Sequence, residues 1–310
     1  MSPCLPLVMR IVSLLPAATE IVALLGATDH LVGITHECDY PDVVRSRARV
    51  TRSALPHAHD PSAIDAAVRD AQAGGVALFT LDEKTITALH PTAILTQELC
   101  EVCAVREADV RALAARLSPP PEVVTLDGTS LDGIYEDIRA VARALGADDE
   151  ADELLAGLRD RVKHVHNTLK AAQAPRPTVA LVEWTDPLYV AGHWGPEQIA
   201  RAGGTDVLGI HGQHSERVNM DALRASDPDI VIFAPCGYSV EAAAAEAKRC
   251  LTLPAWSWLV QRGKQVWAMD ANGLTSRPGP RIVDGIEAMA SIFAPSLFSE
   301  IEPWHAVRVQ

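Results

Sequence analysis

Two stretches of similar sequence, GATDHLVGI at residues 26–34 and GGTDVLGI at residues 203–210, predict how the chain is organised. Each stretch follows an apolar strand, a loop that contains proline and a short helical pattern. A second matched pair follows in the same order, HPTAILT at residues 90–96 and DPDIVIF at residues 227–233. In both members of that pair, a short helix is predicted to end before the proline and a strand to begin just after it. Two matched pairs are too few for a solenoid, so they indicate two lobes of similar construction.

Strands and helices alternate in each predicted lobe, which is typical of a mostly parallel sheet with helices on both faces. The predicted strands are residues 8–15, 31–34, 76–81, 93–96 and 123–126 in the first lobe, and residues 178–183, 207–210, 229–234 and 265–268 in the second. Residues 131–145 and 149–172 carry apolar side chains at helical spacing, and they lack the composition of a flexible linker. We therefore predict an α/β protein with two Rossmann-like lobes, residues 1–127 and 177–310. A long, rigid helical connection at residues 128–176 joins them, and a ligand cleft lies between the lobes.

The composition excludes several classes of function. The chain has 310 residues, and its 27 Lys and Arg against 40 Asp and Glu give a formal net charge of -13. An acidic surface repels a phosphate backbone, so we expect no nucleic-acid partner. No stretch approaches the roughly 20 apolar residues that span a bilayer, so no membrane insertion is expected. Residues 9–16 read as a core strand that runs into a loop, and not as part of a signal peptide. We therefore expect a cytoplasmic protein, or a periplasmic one if a leader has been removed from the natural chain.

The candidate ligand contacts follow from the direction of the strands. In open parallel sheets, ligands meet the loops beyond the carboxyl ends of the strands. Those loops are residues 15–20, 35–40, 96–103, 183–194, 234–238 and 270–281. From them we predict the following ligand-binding residues: Pro16, Ala17, Tyr40, Gln97, Trp184, His193, Trp194, Tyr238, Ser276 and Arg277.

Two of these loops contain residues that can bind a metal. THECDYP at residues 35–41 holds His36 and Cys38, and QELCEVC at residues 97–103 holds Cys100 and Cys103. One turn brings the two sulfurs of a Cys-x-x-Cys pair close enough to reach one ion, so the four side chains could form a site for zinc or a softer metal. The alternatives are a redox pair, or two cysteines that pack as small hydrophobic side chains.

The predicted second lobe offers aromatic and cationic groups on its loops. EWTDP at residues 183–187 and GHWG at residues 192–195 place Trp184, His193 and Trp194 on predicted loops, which suits a large, flat, partly apolar ligand. Trp256, Trp258 and Trp267 are instead expected in the core. Arg277 and the backbone amides beside it would suit carboxylate, amide or phosphate groups.

The chain resembles the helical-backbone substrate-binding proteins of ABC importers, and more narrowly their vitamin B12 (cobalamin) branch. SLLPAATE at residues 13–20, the turn at residues 26–34, DYP at residues 39–41 and RPGPR at residues 277–281 carry this resemblance, which runs from about Arg10 to Phe298. It implies two lobes joined by a long helix, a corrin ring held between them, and little closure on binding. It also implies a cleft tyrosine near Tyr40, a cleft tryptophan near Trp184 and a second-lobe loop near residues 276–281.

Three functions follow from these patterns. The first is a binding protein for cobalamin or a related corrinoid. The second is a binder of a metal or of a heme- or siderophore-like chelate through His36, Cys38, Cys100 and Cys103. The third is an enzyme that acts on a bound corrinoid, although no catalytic motif supports a stand-alone hydrolase. Because the His and Cys loops lie outside the usual pattern of transport receptors, an ABC permease is a less secure partner than the small-molecule ligand.

Overall fold

The computed structural model describes residues 9–54, 61–74, 77–98 and 105–310, and their contacts divide the chain into two compact units. The first unit comprises residues 1–59, 63–128 and 132–155, and the second comprises residues 60–62, 129–131 and 156–310. Both are α/β units, as predicted from the sequence. Among the described residues, no helix combines the length and the apolar character that crossing a membrane requires.

The first unit is built on a parallel sheet of five strands, counted over the described residues, in the order β3-β2-β1-β6-β7. A separate antiparallel pair, β4 with β5, accompanies it. The strands are β1 (Ile11–Ser13), β2 (Leu31–Ile34), β3 (Ala48–Arg49), β4 (Thr51–Ser53), β5 (Phe79–Leu81), β6 (Ala93–Gln97) and β7 (Glu122–Leu126). The helices are α1 (Pro16–Leu24), α2 (Pro61–Ala73), α3 (Glu83–Leu89), α4 (Glu107–Ala114) and α5 (Leu131–Leu145), with short 3-10 turns at Thr28–His30 and Asp42–Ser46; the first residues of α2 and α5 are grouped with the second unit. Helix α6 (Asp148–Ala171) belongs to both units, residues 148–155 to the first and residues 156–171 to the second.

The second unit has a mixed sheet in which β10, β8, β12 and β13 pair in parallel. Strands β9, β11 and β14 add antiparallel edges. The strands are β8 (Thr178–Thr185), β9 (Leu188–Val190), β10 (Thr205–Asp206), β11 (Glu216–Arg217), β12 (Ile230–Phe233), β13 (Gln265–Met269) and β14 (Ala306–Arg308). The helices are α7 (Gly195–Arg201), α8 (Met220–Ser226), α9 (Val240–Leu251), α10 (Ser257–Gln261), α11 (Ala271–Leu274) and α12 (Ile282–Phe293).

The two matched sequence pairs adopt matched structures. Helices α1 and α7 are each followed by a glycine with positive φ, Gly26 (73°) and Gly203 (92°), before the chain returns in parallel to the central strand. Helices α3 and α8 each end at a left-handed residue, His90 (φ 46°) and Asp227 (φ 45°). A proline follows directly, and it restrains the preceding residue from continuing the helix. The strand after that proline then pairs in parallel with the central strand of its own unit.

Three predictions about secondary structure needed correction. The predicted strand at residues 207–210 is wrong, because the strand is Thr205–Asp206 and the Asp206 carboxylate ends it by accepting hydrogen bonds from the amides of Leu208 (2.8 Å) and Gly209 (2.6 Å). The strand predicted within residues 76–81 belongs to the separate β4–β5 pair rather than to the parallel sheet. Helix α1 begins with Pro16 and is separated from β1 by two residues, whereas residues 15–20 were expected to form a loop.

We predict that His90→Gly raises the free energy of unfolding by about 0.5–1 kcal/mol. His90 is exposed, and a left-handed backbone strains a residue with a Cβ more than it strains glycine, although glycine also gains freedom in the unfolded chain. Urea denaturation measures the change. His30→Gly is the matched control, because His30 is also exposed but lacks a positive φ, and it should lower the stability. A loss of stability in both variants would contradict the prediction.

Candidate functional site

Parallel pairing gathers the predicted loops at the carboxyl edge of each sheet. In the first unit, β1, β2 and β6 run in parallel, so Pro16, the loop at residues 35–40 and Gln97 follow their strands at one edge. In the second unit, β8, β12 and β13 run in parallel, and Trp184 and Tyr238 lie at the corresponding edge of that sheet. The loops at residues 35–40 and 234–238 follow their strands as predicted, whereas Trp184 is wrong as a loop residue, because it lies on β8 one residue before the end of that strand.

The Cys38 thiol lies in a cluster of buried hydroxyl groups. Its Sγ atom is 3.0 Å from Thr19 Oγ1 and 3.2 Å from Thr35 Oγ1, and the residue is 1% exposed. The Thr19 hydroxyl also donates a hydrogen bond of 2.8 Å to Ser13 Oγ. The cluster therefore links the end of β1, the start of α1 and the loop after β2 through hydrogen bonds.

The neighbouring His36 is held by backbone and side-chain contacts. Its Nδ1 atom is 2.7 Å from Thr51 Oγ1, and its backbone amide donates to the same hydroxyl. Arg49 fastens the loop by donating to the carbonyls of Thr35 (2.6 Å) and Cys38 (2.7 Å). Partial burial, together with the positive charge of Arg49, lowers the pKa of His36, so its imidazole is neutral at physiological pH.

The proposed metal ligands can be placed only in part. Cys100 and Cys103 lie outside the described residues. Within the part of the chain that the structure describes, no group of three or more His, Cys, Asp and Glu residues is arranged to hold a metal ion. The four-ligand site therefore stays a prediction. A neutral His36 suits it chemically, and the role of ligand would fall to Nε2 because Nδ1 contacts Thr51.

The other predicted contacts of the first unit differ in exposure. Tyr40 is 42% exposed and Pro16 is half-buried, whereas Ala17 is 1% exposed, which contradicts its selection as a ligand contact. Its methyl group belongs to the core beneath α1. Gln97 is half-buried and lines a cavity of about 340 Å³. The described residues of that cavity wall are Gln97, Glu98, Val105, Arg106, Glu107, Ala108 and Asp109.

Trp184 and Tyr238 meet in the second unit. Their rings lie edge to face, with centroids 6.0 Å apart and an interplanar angle of 77°. The indole Nε1 donates to the carbonyl of Pro61, 3.2 Å away, and Pro61 is grouped with this unit. Both side chains are half-buried, so they present a partly apolar surface at the carboxyl ends of β8 and β12.

The last predicted loop lies beside Tyr238. The amide of Ala271 donates to the Tyr238 carbonyl (3.1 Å), and the side chain of Asn272 donates to the Gly237 carbonyl (3.3 Å). The amide of Ser276 in turn donates to the Ala271 carbonyl (2.8 Å). Ser276 and the adjacent Arg277 are both half-buried. Tyr238 and Ser276, two predicted contacts that are 38 positions apart in sequence, thus lie on segments that are joined by hydrogen bonds.

Trp194 does not have the predicted exposure. It is 5% exposed, and its Nε1 donates a hydrogen bond of 2.7 Å to the Thr275 carbonyl, so it packs in the interior and cannot offer its face to a ligand. His193 beside it is half-buried, and its Nε2 lies 3.2 Å from His214 Nδ1. Burial and the nearby His214 lower the pKa of His193. Trp256 and Trp258 are buried as expected, whereas Trp267 is only half-buried.

Sequence reasoning did not identify several residues that hold these loops in place. Thr51, Arg49 and Glu246 were not selected, although Glu246 accepts a hydrogen bond from the hydroxyl of Thr185, directly after Trp184. Each is an ordinary polar residue, and Thr185 and Glu246 are 61 positions apart. No local pattern marks them, because β3 and β4 are short polar strands and α9 carries other charged residues besides Glu246.

The fold and the site define a binding protein made of two α/β units, and comparison with known proteins gives its family. Residues 11–252 match the family model for periplasmic binding proteins, so the chain belongs to the periplasmic binding protein family. Because this is a family of binding proteins, the chain is a binding protein and not an enzyme.

Three relatives illustrate the similarity. The chain is 23% identical to an uncharacterized ABC transporter substrate-binding lipoprotein, YvrC, of Bacillus subtilis (strain 168), over 94% of this chain and 82% of that one. It is 22% identical to a vitamin B12-binding protein of Vibrio cholerae, over 91% of this chain and 88% of the relative. Its fold resembles that of a periplasmic heme-binding protein from Pseudomonas aeruginosa, with a TM-score of 0.73, 23% identity and coverage of 97% and 98%.

We predict that Trp194→Ala lowers the free energy of unfolding by about 3–5 kcal/mol, because it removes a buried indole together with its hydrogen bond to Thr275. Trp304→Ala is the matched control, since that indole is 62% exposed and its loss should change stability by about 0.5 kcal/mol or less. Urea denaturation of both variants provides the comparison. Equal stability of the two variants would show that Trp194 is not part of the core.

Proposed function

We propose that this protein binds cobalamin or a related corrinoid. The single observation that carries the proposal is the Trp184–Tyr238 pair at the carboxyl ends of β8 and β12, where α/β sheets bind their ligands. Two large aromatic rings, one at the end of β8 and one on the loop after β12, offer apolar surface to a broad, flat ligand. Membership of the periplasmic binding protein family and the similarity to a vitamin B12-binding protein support the choice of ligand.

A heme-type chelate is the second candidate. The resemblance to a heme-binding protein covers nearly the whole of both chains, and a porphyrin is also broad and flat. The same aromatic pair would serve either ring. A direct comparison of hydroxocobalamin with hemin therefore belongs in the first binding experiment.

The remaining parts of the proposal concern the metal, the partner and the location. We keep His36, Cys38, Cys100 and Cys103 as a proposed contact for zinc or another soft metal, which elemental analysis of the purified protein tests. The ABC transporter relative supports a permease as the partner of the loaded protein. The cytoplasmic location expected from the sequence stays a prediction, which fractionation of the cells that produce the protein would test.

We predict that Trp184→Ala weakens the binding of hydroxocobalamin at least tenfold. Loss of an aromatic ring from a ligand-binding surface typically removes about 1–3 kcal/mol, and 1.4 kcal/mol corresponds to a factor of ten. Equilibrium dialysis, followed by the visible absorbance of the corrin, gives the dissociation constant.

Trp304→Ala serves as the control, because it removes an indole that is exposed elsewhere in the second unit. It should bind as the unmodified protein does. If Trp184→Ala kept full affinity while the unmodified protein bound the corrinoid, the aromatic pair would not be the binding surface.

A further inference from the structure

Strand β8 contains a bulge at the point where the proposed binding surface begins. Opposite β9, Val182 pairs with Val190 and Trp184 pairs with Tyr189, so Glu183 is one extra residue on β8. Val182 is also the last residue of β8 that pairs with β12. Bulges redirect side chains and are common beside functional sites. The direction of Trp184 therefore depends on how the backbone at Glu183 is held.

Glu183 is held by a hydrogen bond from a distant serine. The Ser215 hydroxyl donates to the Glu183 carboxyl group and accepts a hydrogen bond of 3.2 Å from the amide of Gly192. A Cβ at Gly192 would collide with the backbone of residues 213–215, so the two segments are in direct contact and leave no space for a side chain there. One hydroxyl thus joins the bulge, the end of β9 and the segment before β11.

The other side of Trp184 is fixed in a similar way. Thr185 donates a hydrogen bond to the carboxylate of Glu246 on α9, and that carboxylate also pairs with Arg249 at 2.7 Å. Trp184 therefore lies between two residues that each make a hydroxyl–carboxyl hydrogen bond. The two carboxyl groups differ in their electrostatic surroundings. Arg249 compensates the negative charge of Glu246, whereas desolvation raises the pKa of Glu183 to about 7.

We propose that Glu183 and Ser215 are positioning residues that direct Trp184 toward the ligand, so that ligand affinity depends on the hydrogen bond between them. This inference rests on the proposed function, since it takes Trp184 as a ligand contact. It assigns no contact with the ligand to either residue. The geometry that carries it is the one-residue bulge, the bridging hydroxyl and the close approach at Gly192.

The proposal gives a defined dependence on pH. Because the pKa of Glu183 is raised above its ordinary value of 4.5, the folded protein binds this proton more tightly than the unfolded chain does. The stability that the protonated Glu183 side chain contributes is present at low pH and is lost as the pH rises from about 4.5 to about 7. Above that pH, a buried carboxylate is left with the hydroxyl of Ser215, and the bulge loosens. Affinity should therefore fall between pH 6 and pH 8.5.

Other ionisable groups lie around Glu183, and the Glu183→Gln variant separates their effect from that of Glu183. His193 and His214 lie on the two segments that Ser215 joins, and burial together with the nearby His214 lowers the pKa of His193. Glu216 on β11 is exposed. Cys236, on the loop after β12, donates a hydrogen bond from its backbone amide to the Glu183 carbonyl. The Glu246–Arg249 pair on α9 is already ionised, because the pKa of Glu246 is lowered.

The test measures hydroxocobalamin affinity at pH 6 and pH 8.5 for the unmodified protein and for Glu183→Gln, Ser215→Ala and Glu216→Gln. The unmodified protein and the Glu216→Gln control should lose affinity three- to tenfold at the higher pH. Glu183→Gln should show no such change, and Ser215→Ala should bind three- to tenfold more weakly at pH 6. If Ser215→Ala does not fold, the pH profile of Glu183→Gln decides alone.

A second readout needs no ligand and separates the two proposals. The difference in fluorescence between each protein and its Trp184→Phe derivative reports the surroundings of Trp184, and this difference should change with pH in the unmodified protein but not in Glu183→Gln. If the unmodified protein bound neither hydroxocobalamin nor hemin, the proposed function would be contradicted. The fluorescence difference would still test whether Glu183 positions Trp184. If the corrinoid binds through Trp184 but Glu183→Gln and Ser215→Ala keep the unmodified affinity and pH profile, the positioning role is overturned.

Discussion

Parallel pairing of the central strands is the constraint on which the rest of each unit depends. In the first unit β1 pairs with β2 and β6, and in the second β8 pairs with β10 and β12. A parallel pair requires a crossover between its strands, which supplies the covering helices. It also places the carboxyl ends of those strands at one edge, so residues that are far apart in sequence share that edge.

Buried hydrogen bonds between hydroxyl, thiol and carboxyl groups then fix the loops at those edges. In the first unit, Thr19 links Ser13 to Cys38 at the beginning of α1. In the second unit, Ser215 holds Glu183 and Glu246 holds Thr185. Because an unpaired buried polar group is costly, such bonds restrict each loop to one arrangement. A surface that must accept a rigid ring benefits from this restriction, since less conformational freedom is lost on binding.

The sequence predicted those features that depend on local pattern. The apolar runs of β2 and β6, the helical periodicity of α5 and the left-handed ends of α3 and α8 before proline are encoded within a few neighbouring residues. The end of β10 was missed because one carboxylate, that of Asp206, takes the amides of the following turn. Trp194 was misplaced because its partner, Thr275, is 81 positions away. Ser215 was missed for the same reason, since nothing near it in sequence indicates its hydrogen bond to Glu183, 32 positions earlier.

If the Trp184–Tyr238 surface binds a corrinoid, the protein retains that ligand through desalting. The purified protein is incubated with equimolar hydroxocobalamin and hemin, desalted, and examined by visible absorbance together with elemental analysis for cobalt, iron and zinc. We expect one corrin per chain that elutes with the protein, and a large loss of that corrin in Trp184→Ala. Retention of hemin alone, or of zinc with no tetrapyrrole, would contradict this expectation.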